Sequence, residues 1–152
     1  MATFTQANSY QLNQTPTNSY RATQEDPRKT LLLAEDDDNL RLIMECSLSA
    51  MGYVVVACAD GNLASAAFHA HAIDVLLTDF EMPGKTGLEL ARELTGIQPA
   101  LPVMVITGSL LSAEILQEIQ DRQWIYMKKP SNISAVESTL ANLTVNHNQL
   151  AA

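Results

Sequence analysis

The sequence predicts an α/β domain in which a parallel β-sheet of five strands is covered by helices on both faces. Two observations lead to this fold class. Short apolar runs alternate five times with segments whose apolar residues recur at helical spacing. The short runs are almost continuously apolar, which is typical of strands that are buried on both faces.

The first two strand and helix pairs are predicted as follows. The run Leu31–Ala34 is the first strand. Apolar residues at helical spacing over Leu40–Met51 predict a helix, and Gly52 supplies its C-terminal stop. The β-branched run Tyr53–Ala57 is the second strand, and the alanine-rich stretch Leu63–Ala70 is the second helix.

The middle of the chain continues the same alternation. Ile73–Thr78 is the third strand. A helix over Leu88–Leu94 follows, and we expect Gly96 to end it. Val103–Ile106 is the fourth strand, and it comes directly after Pro102.

The last elements complete five pairs. Ser112 is predicted to cap a fourth helix that extends through Arg122. The short run Trp124–Met127 is the fifth strand. The fifth helix is predicted over about Ser131–Leu143, because its apolar residues lie on one face.

Composition and charge exclude several classes of protein. The 152 residues are 47% hydrophobic and 17% charged, which fits one soluble domain. Nine basic residues against seventeen acidic ones give a net charge of -8, which opposes a broad nucleic-acid-binding surface. The chain has neither an apolar run of about 18 residues, as a membrane span requires, nor an apolar secretory signal. Its two cysteines, Cys46 and Cys58, fit a reducing compartment, so we expect a cytoplasmic protein.

The chain divides into a tail, a domain and a short end. Residues 1–29 contain 14 Asn, Gln, Ser and Thr, so we predict a disordered polar tail. An Asn-Ser-Tyr triplet occurs in it twice, which is too few copies for a repeat architecture. Residues 30–143 are the predicted domain, and residues 144–152 are a short C-terminal tail. Because no second domain follows, we expect the domain to stand alone.

Chemically active side chains come directly after several of the predicted strands. Glu35 and Asp36 come after the first strand, Asp79 after the third, Thr107 after the fourth and Lys129 after the fifth. The carboxyl ends of parallel strands share one edge of a sheet, so these side chains are predicted to converge. Gathered carboxylates repel one another unless a cation joins them, and Mg²⁺ prefers such oxygen ligands.

The same residue types support phosphorylation of an aspartate. A carboxylate beside Mg²⁺ is a competent nucleophile towards phosphorus. Lys129 can neutralise the new phosphoryl oxygens, and Thr107 can donate a hydrogen bond to one of them. The neighbouring acids Asp37 and Asp38 are more simply interpreted as the N-cap and first-turn residues of the first helix.

Fragments at these positions resemble the receiver domain of two-component response regulators, over about residues 30–143. In order along the chain, the fragments are Leu31–Asp36, Leu76–Gly84, Gly87, Val105–Gly108 and Lys129-Pro130. The resemblance implies a flavodoxin-like (βα)5 three-layer sandwich with strand order 2-1-3-4-5.

The resemblance also implies a phosphoacceptor and a metal site. Asp79 would accept a phosphoryl group from a histidine kinase or a histidine phosphotransfer protein. Glu35 and Asp36 would hold Mg²⁺ directly or through water, together with Asp79 and the backbone carbonyl of Glu81. The implied protein is a signalling switch, with at most self-catalysed phosphotransfer and dephosphorylation.

Further positions match the residues that transmit the signal in this family. Thr107 is the implied switch hydroxyl, Tyr126 the aromatic switch, and Lys129 the partner of the phosphoryl oxygens. Pro130 would follow a peptide bond that is usually cis in the family.

The sequence departs from the family pattern at three positions. Glu35 stands where Asp is more common, and Ser131 where a large apolar residue is usual. Glu81 places a negative side chain at a position that tunes dephosphorylation. None of these changes removes a required group.

The expected output surface is formed by the fourth helix, the fifth strand and the fifth helix. Leu110, Leu111, Ile115 and Ile119 lie in this region, and any of them that is left exposed would suit contact with a downstream protein or a second copy of the chain. We expect no direct contact with nucleic acid or membrane. Two alternatives stay open: a phosphohydrolase of the haloacid dehalogenase type, and a pseudo-receiver that binds partners without phosphate.

Overall fold

The computed structural model describes residues 28–129 and 132–150, which form five strands and five helices in strict alternation. The strands are β1 (Thr30–Ala34), β2 (Val54–Cys58), β3 (Val75–Asp79), β4 (Val103–Thr107) and β5 (Ile125–Lys128). The helices are α1 (Asp38–Ala50), α2 (Gly61–Ala70), α3 (Gly87–Ile97), α4 (Ala113–Asp121) and α5 (Ile133–Leu150).

All neighbouring strands are parallel, and their order in the sheet is β2-β1-β3-β4-β5. The chain moves from β1 to one side for β2 and then returns to the other side for β3. Ligand sites in such sheets lie at this reversal, beyond the carboxyl ends of the strands. The predicted fold class and strand order are confirmed.

Side chains of successive strand residues alternate between two apolar cores. Leu31 and Leu33 face the core that α1 and α5 complete, whereas Leu32 and Ala34 face the core beneath α2, α3 and α4. Both cores contain fully buried leucines of the sheet. The near-continuous apolar strands are therefore explained, since each strand needs apolar side chains on both faces.

Side-chain caps fix the starts of the helices. Asp37 accepts a hydrogen bond from the backbone of Leu40 at the start of α1, and Ser112 caps α4 as predicted. Thr86 and Glu89 form a reciprocal capping box at the start of α3. Asp37 as N-cap and Asp38 in the first turn of α1 therefore confirm the simpler interpretation of these two acids.

Several predicted boundaries are wrong. Gly52 follows α1 with a φ of 97°, as a stop requires, but Gly96 lies inside α3, which continues to Ile97. Gly ends a helix only where the backbone turns to positive φ, and among the described residues Gly96 does not. The helix α5 begins at Ile133 and continues to Leu150, beyond the predicted end, because no Gly or Pro interrupts residues 144–150.

The strand boundaries also differ by one or two residues. The strands β2, β3 and β5 each begin and end slightly later than predicted, and Asp79 is the last residue of β3 rather than the first after it. The helix α2 begins two residues earlier than predicted because Asp60 caps it there. An apolar run locates a strand but marks its ends poorly.

The proposed tail, with its Asn-Ser-Tyr triplets, lies mainly outside the described residues, as do Pro130 and Ser131. The division of the chain into tail, domain and short end stays a prediction. Among the described residues, no helix is both long and apolar enough to cross a membrane. Cys46 is exposed, Cys58 is buried, and both are free thiols.

Candidate functional site

Of the side chains predicted to converge, those of Glu35, Asp36, Asp79 and Lys129 meet at the carboxyl edge of the sheet, and Thr107 lies at the end of the neighbouring strand. Glu35 directly follows β1, Asp79 ends β3, Thr107 ends β4 and Lys129 directly follows β5. Because β1, β3 and β4 are adjacent and in register, their ends lie side by side. The fold therefore brings residues up to 94 positions apart into contact.

Three carboxylates form a compact cluster at this edge. One ligand oxygen each from Glu35, Asp36 and Asp79 lies within 4.8 Å of the others. Glu35 is 2% exposed and Asp79 is 8% exposed, whereas Asp36 is exposed to solvent. Buried like charges this close are costly unless a cation neutralises them. The donor set is all carboxylate oxygen, which fits Mg²⁺.

Lys129 supplies a positive charge to the two buried carboxylates. Its Nζ lies 2.7 Å from Asp79 Oδ2 and 3.0 Å from Glu35 Oε2. Burial favours the neutral amine, but the two carboxylate hydrogen bonds outweigh it, so the pKa of Lys129 lies above its ordinary value. Lys129 therefore stays charged and offsets the repulsion between the two buried carboxylates.

Glu35 is the least exposed of the three carboxylates. Burial raises the pKa of its carboxyl above the usual value, and the hydrogen bond from Lys129 only partly offsets this rise. Its second oxygen, Oε1, accepts a hydrogen bond from the Asp37 backbone at 3.3 Å. Both oxygens are thus occupied, and the side chain is fixed in orientation.

Thr107 links the site to the start of α4. The residue is fully buried, and its Oγ1 accepts a hydrogen bond from the Ser109 backbone N–H at 3.0 Å. Its carbonyl accepts the backbone N–H of Lys129 at 2.7 Å. The hydroxyl therefore contacts the loop that leads from β4 to α4.

Tyr126 lies in β5, which pairs with β4. It pairs with Val105 of β4, and its half-buried ring packs against the core beneath α2, α3 and α4. Its neighbour Lys128 is exposed, as the alternation along the strand predicts.

The loop after β3 passes close to the phosphoacceptor candidate. The Glu81 backbone N–H donates to Asp79 Oδ1 at 3.2 Å, and the side chain of Glu81 is exposed. Gly87 donates to the Phe80 carbonyl at 2.9 Å and approaches Asp79 so closely that a Cβ would lie 1.9 Å from the Asp79 carbonyl oxygen. Glycine is therefore required at position 87.

A family model described as the response regulator receiver domain matches residues 31–141. The chain belongs to this family. The match covers every strand of the sheet and all the side chains that meet at its carboxyl edge. The resemblance drawn from five short fragments is thereby confirmed.

Curated relatives of this receiver domain include regulators from bacteria. The response regulator receiver protein CpdR of Brucella abortus is 41% identical over 80 residues, which cover 53% of this chain and 67% of that protein. The C4-dicarboxylate transport transcriptional regulatory protein DctD of Rhizobium meliloti is 32% identical over 66% of this chain but only 22% of its own length. The chain thus spans about a fifth of the length of DctD.

Solved structures confirm the fold. A chemotaxis protein, CheY4 of Vibrio cholerae, is 26% identical with a TM-score of 0.69 and covers 76% of this chain and 98% of its own. A receiver domain protein from Clostridium thermocellum gives a TM-score of 0.73 at 21% identity, covering 82% and 99% of the two chains. The second likeness is a likeness of fold alone.

One residue of this receiver domain was missed by sequence reasoning. Arg41, in the first turns of α1, donates from Nη1 to the carbonyl of Glu35 at 2.8 Å and to that of Asp36 at 3.4 Å. Its partners are backbone atoms, which no pattern of side-chain types reveals. The available signal was a single basic residue shortly after the acidic pair.

Proposed function

We propose that this receiver domain is a phosphorylation-controlled signalling switch whose phosphoacceptor is Asp79. The observation that carries the proposal is the contact of one ammonium, Lys129 Nζ, with both Asp79 and Glu35 beside a third carboxylate. A lysine in this position is suited to pair with a phosphoryl oxygen on Asp79, since it already contacts Oδ2.

The phosphoryl donor is a phosphohistidine on a histidine kinase or a histidine phosphotransfer protein. An oxygen of Asp79 forms the new bond to phosphorus, while the bond between phosphorus and the histidine nitrogen breaks and the imidazole leaves with the electron pair. Asp79 is 8% exposed and ends β3, so a donor must reach its oxygens at the carboxyl edge of the sheet. The same site supports self-catalysed transfer from a small phosphodonor and later hydrolysis by water.

Mg²⁺ is the metal that the donor set fits. Glu35, Asp36 and Asp79 would hold it, with the backbone carbonyl of Glu81 as the fourth protein ligand that the family resemblance implies. When bound, Mg²⁺ supplies positive charge to the phosphoryl oxygens during transfer. Glu81 itself keeps an exposed carboxylate beside the phosphoacceptor, where it can orient or repel the attacking water.

The switch consists of Thr107, Tyr126 and Lys129. A phosphoryl group carries roughly two negative charges and replaces the single charge of the Asp79 carboxylate, so the site becomes more negative, which favours a turn of the Thr107 hydroxyl towards it. Such a turn releases the Ser109 N–H that Thr107 now binds, and Ser109 leads into α4. Tyr126 then moves inward as the space beside Thr107 changes.

The output surface comprises α4, β5 and α5. Leu110, in the loop before α4, is 86% exposed, and Leu116 on α4 is also exposed, whereas Ile119 is buried in the core. Leu111 and Ile115 are half-buried. The exposed leucines suit a downstream protein or a second copy of the chain, so that phosphorylation is read out as a change in protein contacts.

Mass spectrometry of the intact protein tests the proposal. The wild type, Asp79→Asn and the control Asp121→Asn are each incubated with Mg²⁺ and acetyl phosphate. We expect the wild type and the control to gain one phosphoryl group and Asp79→Asn to gain none. A gain in all three, or in none, contradicts the role of Asp79, and steady release of phosphate from added esters would instead indicate a phosphohydrolase.

A further inference from the structure

Arg41 binds the backbone of the acidic turn, whereas Lys129 binds carboxylate oxygens of the cluster. The Arg41 side chain is only 18% exposed. Nη1 is shared between the carbonyls of Glu35 and Asp36, and Nη2 pairs with the carboxylate of Asp38. One planar group therefore spans three successive parts of the turn between β1 and α1.

The contacts of Arg41 avoid the oxygens that would bind a metal. Its hydrogen-bond partners in the turn are two carbonyl oxygens and the carboxylate of Asp38, and Asp38 is outside the carboxylate cluster. Lys129, in contrast, binds Asp79 and Glu35 through their carboxylate oxygens. Arg41 thus holds the backbone of Glu35 and Asp36 and leaves their carboxylates available to a cation.

The peptide planes of this turn determine where its carboxylates lie. A carbonyl held in one direction fixes the backbone angles on either side of it, and these angles fix the direction of the Cα–Cβ bond. Asp36 has an exposed side chain, so packing does little to orient it. The Arg41 contact with its carbonyl is therefore a main restraint on the one exposed member of the cluster.

We propose that Arg41 is a positioning residue for the Mg²⁺ site of this domain. The inference rests on the proposed function, because it requires that Glu35, Asp36 and Asp79 bind Mg²⁺. Residues that are not ligands but orient the ligand residues through hydrogen bonds typically change metal affinity by roughly 10- to 100-fold when they are replaced. We expect the lower end of that range, about tenfold, because only Asp36 lacks another restraint.

Charge and positioning predict opposite signs for the loss of Arg41. Arg41 carries a positive charge near a cation site, so electrostatics alone predicts that its removal strengthens Mg²⁺ binding. Positioning predicts that its removal weakens binding. The sign of the change thus separates the two roles without any assumption about its size.

Isothermal titration calorimetry with MgCl₂ measures this sign. The variants are Arg41→Ala, which removes charge and contacts, and Arg41→Lys, which keeps the charge but cannot span three acceptors from one planar group. Arg92→Ala is the control, since it removes a like charge from α3, where it pairs with Glu118. We expect weaker binding in both Arg41 variants, with the larger loss in Arg41→Ala, and little change in the control.

Each outcome has a defined meaning. Unchanged or tighter binding in both Arg41 variants, with normal circular dichroism, overturns the positioning role while the proposed function stands. No Mg²⁺ binding by the wild type refutes the proposed function itself. If Arg41→Ala fails to fold, Arg41→Lys decides, because a charge-only role predicts wild-type affinity for it. Intact-mass phosphorylation of the same variants, at Mg²⁺ concentrations above and below the wild-type dissociation constant, should show a loss only at the lower concentration.

Discussion

Replacing Lys129 by Met should destabilise the metal-free protein and make it depend on Mg²⁺. The substitution leaves Glu35 and Asp79, 2% and 8% exposed, without the ammonium that now contacts both. Removing one partner of a fully buried ion pair costs about 3–5 kcal/mol, whereas exposed pairs contribute at most about 1 kcal/mol. Since the Lys129 side chain is 25% exposed, we expect an intermediate loss in the free energy of unfolding, about 2 kcal/mol.

Mg²⁺ should reverse this loss. Without Lys129 the carboxylates no longer have a competing cation, so the variant should bind Mg²⁺ more tightly than the wild type. Binding to the folded state alone adds about 2.7 kcal/mol of stability at a free concentration of 100 times the dissociation constant. The variant should therefore gain more stability from Mg²⁺ than the wild type gains.

Urea unfolding at pH 7, followed by the fluorescence of the buried Trp124, measures both effects. Lys128→Met is the matched control, because it removes the same charge at an exposed neighbouring position. If Lys129→Met is as stable as Lys128→Met without Mg²⁺, the pairing of Lys129 with the buried carboxylates is not what stabilises this edge. Equal stabilisation of all three proteins by Mg²⁺ would refute the competition between the lysine and the metal.

Three further predictions concern other contacts of the site and of α4. Gly87→Ala should lower the free energy of unfolding by about 1–3 kcal/mol in urea and slow phosphorylation by acetyl phosphate, because its Cβ would collide with the Asp79 carbonyl. Burial raises the folded-state pKa of Glu35, so its contribution to stability is fully present below about pH 4.5 and is lost as pH rises through the folded value. The stability difference between wild type and Glu35→Gln should fall over the same window, and a flat difference would contradict the shift. Glu118→Ala breaks the ion pair with Arg92 of α3 and should lower the free energy of unfolding in urea by less than about 1 kcal/mol, while it increases amide hydrogen exchange in α4. Unchanged exchange would show that the ion pair does not stabilise this helix.

The fold was predictable because its information is local. Apolar runs and helical periodicity occur within each segment, and their alternation allows few architectures. The boundaries were less predictable: Gly96 has the composition of a helix stop, but α3 continues through it to Ile97, where Gln98 caps the helix. Whether a glycine ends a helix depends on a backbone angle that neighbouring elements decide.

The candidate site was predictable for a different reason. Residues far apart in sequence, such as Glu35, Asp79 and Lys129, had to meet because the ends of parallel strands share one edge. Contacts to backbone atoms could not be predicted in this way. Arg41 with the carbonyl of Glu35, and Gly87 with that of Asp79, depend on the packing of loops, which carries no signature in residue type.

Charge balance connects the proposed metal to the proposed switch. Three carboxylates and Lys129 leave the site with a net charge of roughly minus two before phosphorylation, and a phosphoryl group on Asp79 leaves it more negative still. A divalent cation offsets the negative charge present before phosphorylation, but it does not also offset the charge that the phosphoryl group adds. The remaining negative charge must be met by hydrogen-bond donors that can move, and Thr107 is placed to supply one. A site with more fixed positive charge would bind the phosphoryl group equally well. No excess negative charge would then attract the Thr107 hydroxyl, and phosphorylation would not change α4.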